Sequence, residues 1–563
     1  MKVLIATVNS KYAHTSLGIY AVAGYLRALT EHEILIEEYT IQTPILTILA
    51  NIYPHRPQVL GLAMYIWNKN EILQLAALVK KVLPTCKIIL GGPEASFNSS
   101  EILKHNPAID YIVMGEGEQS MRELLEALEC NKSLPLSVAT YEHIGSEIAM
   151  VENLDELPFV YKLLPHLDLD NHIVYYESSR GCPYRCSYCL SGISRMVRKR
   201  SLHKVFEELQ WFIDKNVRQV KFVDRTYNLD INHYLPIMQF LAQAKTTTNF
   251  HFEIKADNLT QEVIEFLKSV PKGRFQFEVG IQSTHSETLE AINRQNDFKK
   301  ICNNIAQILS FENIHVHVDL IAGLPYEDYA TFQKSFNQVY ALQADMLQLG
   351  FLKILHGSII EQQILEHDYQ YMPAPPYEVV ANKYINYEEL RRLKLIEDLV
   401  EKYYNSGKYK KSIKSLVALF GNAFDFYEQF AIFVEQSGKY LQSFGDKTNT
   451  VILLDFIKTK LPTIYLELEE MVHLDVFTQQ YGWRQEVFIS KIEDKKEEFL
   501  EFFRNETVLK KYLPEYITAP WRQIKKYYPM EIFNIDNREV IYILFMSNNH
   551  LIEVDERDFY GSL

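Results

Sequence analysis

The stretch Glu177-Ser178-Ser179-Arg180-Gly181-Cys182-Pro183-Tyr184-Arg185-Cys186-Ser187-Tyr188-Cys189 places three cysteines within eight residues. The gaps between them are three and then two residues. One loop with that spacing wraps three corners of an iron–sulfur cube, and thiolate is the ligand such clusters take. Three protein ligands leave one iron open to a substrate or cofactor, whereas a purely electron-transferring cluster usually takes four. A zinc site and three incidental thiols are the competing readings. Structural zinc closes with four ligands, and no suitably spaced fourth cysteine or histidine follows. Just upstream, residues near 173–178 read as a β-rich run, so the loop leaves a strand at its C-terminal end, where an α/β barrel carries its chemistry.

Working downstream, further strands are predicted near 218–224, 249–255, 274–281, 313–320 and 346–352, with helices between them, for instance 201–215 and 259–269. Six βα units over 171–370 predict a partial (β/α)6 TIM-like barrel. Upstream, residues 1–140 alternate strand (Val3–Val8, Ile34–Glu38, Val59–Met64, Lys87–Leu90, Tyr111–Met114) with helix (Leu17–Leu29, Glu71–Leu83). That alternation predicts an α/β domain with a doubly wound parallel sheet, binding ligands beyond the carboxyl ends of its strands. Two of those ends run into glycine: Gly91-Gly92-Pro93-Glu94 and Gly115-Glu116-Gly117-Glu118. Glycine there serves either a close-approaching ligand or a tight strand-to-helix turn. Residues 141–170, with Pro158, Pro165 and the acidic Glu152–Glu156, read as a connector. After Pro373-Ala374-Pro375-Pro376, the segment 371–563 reads as a mostly helical C-terminal domain with a late strand at Val540–Met546. Its aromatics Tyr403, Tyr404, Phe424, Phe426 and Tyr427 read as its own core in preference to a cap over the barrel.

The cysteine spacing, with an aromatic residue (Tyr188) before the last cysteine, resembles that of the radical S-adenosylmethionine (SAM) superfamily. The resemblance implies a [4Fe–4S] cluster on Cys182, Cys186 and Cys189. It implies also that SAM chelates the open iron and is cleaved by one electron to methionine and a 5′-deoxyadenosyl radical. The later strand ends Lys221–Asn228, Phe252–Asp257, Phe277–Ser283 and Asp319–Pro325 look like the superfamily's SAM-contacting segments. That assigns Tyr188, Asp224, Arg225, Glu253, Gln282, Ser283, Asp319 and Gly323 to SAM. The second strand departs from the family's Gly-Gly-Glu triplet, with Asp224, Arg225 and Asn228 instead. Read from the residues alone, Asp224 or Glu253 is equally a buried charge paired with Arg225 or Lys255, and Gly323-Leu324-Pro325 a turn.

A doubly wound domain ahead of such a barrel resembles the cobalamin-dependent radical SAM group, which assigns Gly91, Gly92, Gly115, Glu116 and Gly117 to cobalamin. Many cobalamin domains carry Asp-x-His-x-x-Gly after the first strand. Here the chain reads Tyr12-Ala13-His14-Thr15-Ser16-Leu17-Gly18, so His14 lacks the carboxylate that would orient a metal-bound imidazole and reads as a polar loop residue. The C-terminal segment looks like a domain found in family members whose function is unassigned.

The resemblance implies a radical SAM enzyme, cobalamin-dependent, methylating an unactivated carbon. Cobalamin-associated cyclisation, rearrangement or oxidation without methyl transfer is the alternative, and a non-catalytic iron–sulfur redox or binding protein is a third reading. The remaining cysteines, Cys86, Cys130 and Cys302, are too few for the second N-terminal cluster of the methylthiotransferases or for auxiliary clusters after the barrel. The implied partners are a small-molecule or peptide substrate and a flavodoxin-like or ferredoxin-like electron donor. A formal net charge of −14 argues against nucleic acid and anionic membrane as partners. The opening run Met1–Ala6 is too short for a signal peptide, and no later run has bilayer length, so a cytoplasmic protein is expected.

Overall fold

The computed structural model describes residues 1–561 except 144, 164–168, 170–171, 193–195, 440–441, 443, 480–481, 514–519, 536–537 and 546–548. Pro165 of the connector and Met546 of the late strand lie outside the described residues. Two compact units are present, one made of Met1–Ala344 with Leu349–Leu390, the other of Asp345–Gln348 with Arg391–Leu563.

The first unit begins with a six-stranded sheet in the order β2-β1-β3-β4-β5-β6. Its strands are β1 (Lys2–Asn9), β2 (Glu33–Thr40), β3 (Val59–Ala63), β4 (Lys87–Gly91), β5 (Tyr111–Val113) and β6 (Val138–Ala139). Neighbours pair in parallel except β5 and β6, which are antiparallel. The two-residue β6 is too short to leave an alternation in the sequence. Strands β1, β3 and β4 are near-continuous apolar runs because helices bury both faces of the sheet. One of those faces is filled by Leu4, Leu60, Leu62, Ile88 and Leu90.

A second six-stranded sheet follows in the order β14-β13-β12-β11-β10-β7. It comprises β7 (Val174–Tyr176), β10 (Gln219–Phe222), β11 (Asn249–Ile254), β12 (Phe275–Gln282), β13 (His315–Ala322) and β14 (Met346–Phe351). Strands β7, β10, β11, β12 and β13 run in parallel. Two small antiparallel pairs decorate it: β8 (Ser179–Arg180) with β9 (Arg198–Lys199), and β15 (Gln370–Tyr371) with β16 (Val379–Ala381). Along β12 the burial alternates strictly: Phe275, Phe277, Val279 and Ile281 pack under helices, while Gln276, Glu278 and Gln282 take the other face. The unit is therefore a doubly wound parallel sheet followed by a TIM-like parallel sheet, as the sequence pattern predicts.

The second unit is built mainly of helices around an aromatic core in which Tyr403, Phe424, Phe426, Tyr427 and Phe430 are buried. It closes with an antiparallel three-stranded sheet of β17 (Met530–Ile535), β18 (Arg538–Phe545) and β19 (His550–Val554). The late strand expected at Val540–Met546 is the centre of that sheet. Its two partners are short, which hides them from a periodicity reading. Among the described residues no helix is long and apolar enough to cross a membrane.

Candidate functional site

The cysteine loop leaves β7 and is tied down before it begins. Asp224, just beyond β10 and almost fully buried, accepts from Ser178 N (3.0 Å), Ser178 Oγ (2.6 Å) and Ser179 Oγ (2.6 Å). Arg180, two residues before the first cysteine, spreads its guanidinium over three carboxylates: Glu177 (2.7 Å), Glu116 (3.0 Å) and Glu118 (2.6 Å). Glu116 also pairs with Arg198 at 2.6 Å and accepts from Val151 N at 2.8 Å. Burial opposes the ionisation of Glu116, but Arg198 and Arg180 overcome it and hold the carboxyl below its ordinary range. The glycine loop after β5 and the cysteine loop after β7 are thereby locked to each other.

Within the loop, Cys182 and Cys186 are buried and Cys189 is half-buried. Burial pushes the Cys182 thiol up. Cys182 Sγ lies 3.6 Å from Thr226 Oγ1, and Cys186 Sγ accepts from Arg294 Nη1 at 3.6 Å. The same nitrogen reaches Tyr188 Oη at 3.4 Å, and the other terminal nitrogen donates to Gly280 O. Among the described residues no three His, Cys, Asp or Glu groups are gathered as around one metal ion. The three thiols instead line a cavity of about 200 Å³. Its far wall is polar, with Glu253 from β11, Glu278 and Gln282 from β12, and Asp319 from β13.

That wall is charged and internally compensated. Strand register sets Glu253 beside Glu278 and Glu278 beside His317. Glu278 lies 3.1 Å from Lys221 Nζ and 3.0 Å from His251 Nε2. Burial would raise its pKa, but His251 and Lys221 hold it down to about 2. Glu253 goes the other way, raised by burial and by the neighbouring Glu278 charge. Asp319 lies 3.0 Å from His317 Nε2, and burial raises its pKa. Gln282 sits at a β12 irregularity with φ 71°. Its Oε1 is buried with no hydrogen-bond partner among the described residues. A buried acceptor without a partner beside a polar cavity is what a nitrogen-donating ligand such as SAM would satisfy.

Of the residues assigned to SAM, Tyr188, Arg225, Glu253, Gln282 and Asp319 meet at this cavity. Asp224, Ser283 and Gly323 do not line it. Asp224 is spent on Ser178 and Ser179. Ser283 Oγ donates to Glu327 at 2.6 Å, inside the protein. Gly323 turns the chain at φ +87°, and its carbonyl accepts from Asn382 Nδ2 at 2.9 Å. Sequence reasoning missed Arg294 at the cavity, and it did not single out Glu278, Lys255 and Thr226 within the SAM-contacting segments it named. The β12 alternation carries a signal for Glu278, and nothing local carries one for Arg294.

A second, larger cavity of about 610 Å³ lies at the carboxyl ends of the first sheet. All five residues assigned to cobalamin border it: Gly91, Gly92, Gly115, Glu116 and Gly117. They do different work. A Cβ on Gly91 would meet only Val113 O, at 4.0 Å, and would project into open space. A Cβ on Gly92 would meet Met64 O at 2.6 Å, and one on Gly115 would meet Ala149 O at 2.5 Å. Both of these glycines have positive φ, 97° and 91°. The turn reading therefore holds for Gly92 and Gly115, and Gly91 is a cradle that any side chain would fill. The Glu116 side chain is occupied by its arginines. His14 also borders the cavity, with Nδ1 2.6 Å from Tyr175 Oη, and burial lowers its pKa. Tyr65 and Trp67 stack in parallel at 4.4 Å on the rim. A broad, mostly apolar cavity floored by glycine fits a large flat cofactor.

The chain matches three family models in series. Residues 2–125 match the B12 binding domain, 176–339 the Radical SAM superfamily, and 365–549 a Protein of unknown function (DUF4080). Over 342 residues it is 28% identical to a 2-(S-pantetheinyl)-carbapenam-3-carboxylate methyltransferase of Streptantibioticus cattleyicolor, covering 55% of this chain and 50% of that one. Over 341 residues it is 27% identical to the cobalamin-dependent radical SAM methyltransferase TokK of Streptomyces tokunonensis, covering 55% and 50%. The chain thus spans about half the length of these curated relatives. In fold it is similar to the cobalamin-dependent SAM radical enzyme OxsB with aqua-cobalamin bound, with TM-score 0.57 and 15% identity over 85% of this chain and 78% of that one. A [4Fe–4S] cluster and SAM go with the radical SAM domain, and cobalamin with the B12 binding domain. The chain therefore carries, in series, a B12 binding domain, a radical SAM domain and a DUF4080 domain.

Proposed function

We propose that the chain is a cobalamin-dependent methyltransferase in which Cys182, Cys186 and Cys189 hold a [4Fe–4S] cluster and a methyl group is delivered to an unactivated carbon of a small molecule or peptide. The observation that carries this reading is the pairing of a thiol-lined cavity with a glycine-floored one, both bordered by Arg225. Bound there, cluster and SAM supply radical chemistry and cobalamin supplies a methyl carrier.

The chain's own residues shape and protect that chemistry. Arg294 donates to Cys186 Sγ, Tyr188 Oη and Gly280 O and so ties the cysteine loop to the end of β12. Gln282 Oε1, Glu253, Asp319 and Tyr188 are the groups for SAM. Asp224, Ser283 and Gly323 act behind them by fixing the strand ends. The apolar wall of the larger cavity keeps water from a reactive intermediate. A small flavodoxin-like or ferredoxin-like donor would provide the electron.

The test is anaerobic reconstitution with iron, sulfide and hydroxocobalamin, followed by methyl-labelled SAM and a reductant. Bound cobalamin, 5′-deoxyadenosine and label transferred to a co-purified or screened substrate support the reading. Deoxyadenosine with an unmethylated product moves the assignment to cyclisation, rearrangement or oxidation. No deoxyadenosine under strong reduction leaves a non-catalytic iron–sulfur protein.

A further inference from the structure

The charged groups on the wall of the larger cavity are almost all spoken for. Glu116, Glu118 and Glu177 share Arg180, and His14 bonds Tyr175. Arg225 is different. It follows β10, its side chain is exposed, and among the described residues its guanidinium makes no hydrogen bond and no ion pair within 4 Å, its charge being felt by Glu253 and Tyr65 at longer range. It borders both cavities, and the other arginine of the thiol-lined cavity, Arg294, is held by Cys186, Tyr188 and Gly280. A substrate that receives a group from one cavity under the action of the other has to sit where the two meet, and Arg225 is the cation at that place. Its planar fork matches carboxylate and phosphate oxygens in bidentate fashion, and it stays charged at any working pH.

We infer that Arg225 anchors the substrate and that the substrate carries an oxyanion, a carboxylate or a phosphate, which the guanidinium holds while the reacting carbon lies between the cavities. The inference rests on the two-cavity reading of function. It differs from the assignment of Arg225 to SAM that the superfamily resemblance implies: Glu253, Gln282 and Asp319 already border the SAM cavity from three other strands, whereas Arg225 alone among them also borders the glycine-floored one.

The test uses holoprotein reconstituted with cluster and cobalamin and saturated with SAM. The probes are benzoate, inorganic phosphate and, as a neutral control, benzamide. Phenylglyoxal labelling of arginine, read by peptide mass spectrometry, reports each guanidinium separately. Arg225 should label at least roughly tenfold faster than the ion-paired Arg180 and Arg198, because theirs are committed to carboxylates. With SAM already bound, benzoate or phosphate should slow labelling of Arg225 by roughly threefold or more, and benzamide should not. Arg225→Gln should abolish the benzoate-dependent change in the cobalamin absorption spectrum, and Arg225→Lys should weaken it. Protection of Arg225 by SAM alone, with a SAM dissociation constant raised roughly tenfold in Arg225→Gln, would return the residue to SAM and overturn the inference. So would equal labelling with and without the anions in protein whose cobalamin and SAM loading is complete. Failure to load cobalamin or SAM in the wild-type protein counts instead against the two-cavity reading, and Arg225 falls with it.

Discussion

Gly91 and Gly92 are neighbours in the chain with opposite predicted responses to substitution. Gly91 is the last residue of β4, and the space a Cβ would enter there holds only Val113 O at 4.0 Å. Gly91→Val therefore meets little within the apoprotein, and its thermal midpoint should stay near wild type. The added methyl groups occupy the floor of the larger cavity instead. Overfilling a packed site costs roughly 1–3 kcal/mol, which corresponds to about 5–150-fold in ligand affinity. Gly92 stands at φ 97° and ψ 168°, a region essentially reserved for glycine. Gly92→Ala pays roughly 1–3 kcal/mol for that backbone alone, and its Cβ would sit 2.6 Å from Met64 O. It should lower the melting temperature of the apoprotein by several degrees whether or not cofactor is present. The assay is paired: differential scanning fluorimetry of each apoprotein, then equilibrium dialysis of hydroxocobalamin followed by its absorbance. Undiminished cobalamin binding by Gly91→Val with an unchanged midpoint would refute the placement of the cofactor on that floor. An unchanged midpoint for Gly92→Ala would refute the account of its backbone.

Cys186→Ala should abolish the visible sulfur-to-iron absorbance of reconstituted protein, and retention of full iron and sulfide would sink the cluster assignment. Arg180→Met leaves the buried Glu118 and the half-buried Glu177 without their cation, a loss of roughly 3–5 kcal/mol for a buried pair. Urea denaturation should show it, together with poor retention of iron, and a wild-type midpoint would dismiss the link between the two loops. Glu327 is buried, and its carboxyl is raised from 4.5 to about 7 by burial, Ser283 and Ser335 compensating only in part. The folded state thus holds its proton more tightly than the unfolded one, so stability falls as pH rises through the window from 4.5 to about 7 and stays reduced above it. Glu327→Gln should remove that slope and be more stable by about 1–3 kcal/mol at about pH 8 than wild type, with little difference at about pH 4. Parallel stability–pH curves for the two proteins would show that Glu327 does not titrate in this way.

What the sequence discloses about the site depends on whether the chemistry is local in the chain. The cysteine loop was legible because its three ligands fall within eight residues and one loop must carry them all. The strands were legible because Phe and Val alternate with polar residues, as in Phe275–Gln282, and that alternation also says which residues face inward. It does not say what an inward charge is for. Glu278 is held by His251 and Lys221 only because β10, β11 and β12 lie side by side, an order no single strand encodes. Residues just past a strand are harder still, since the pleat ends and the next side chain is free to turn either way. Asp224 turns back to hold Ser178, whereas Arg225, one residue on, stands between the cavities. Arg294 lies twelve residues beyond the end of β12 and reaches Cys186 only through the return of the chain. The same limit explains the glycines: Gly91 and Gly92 read alike, yet β4 continues through the first, and its open Cβ direction leads into the cavity, while the second turns the chain against Met64. Pairs of adjacent residues with opposite duties are therefore where substitution is most informative.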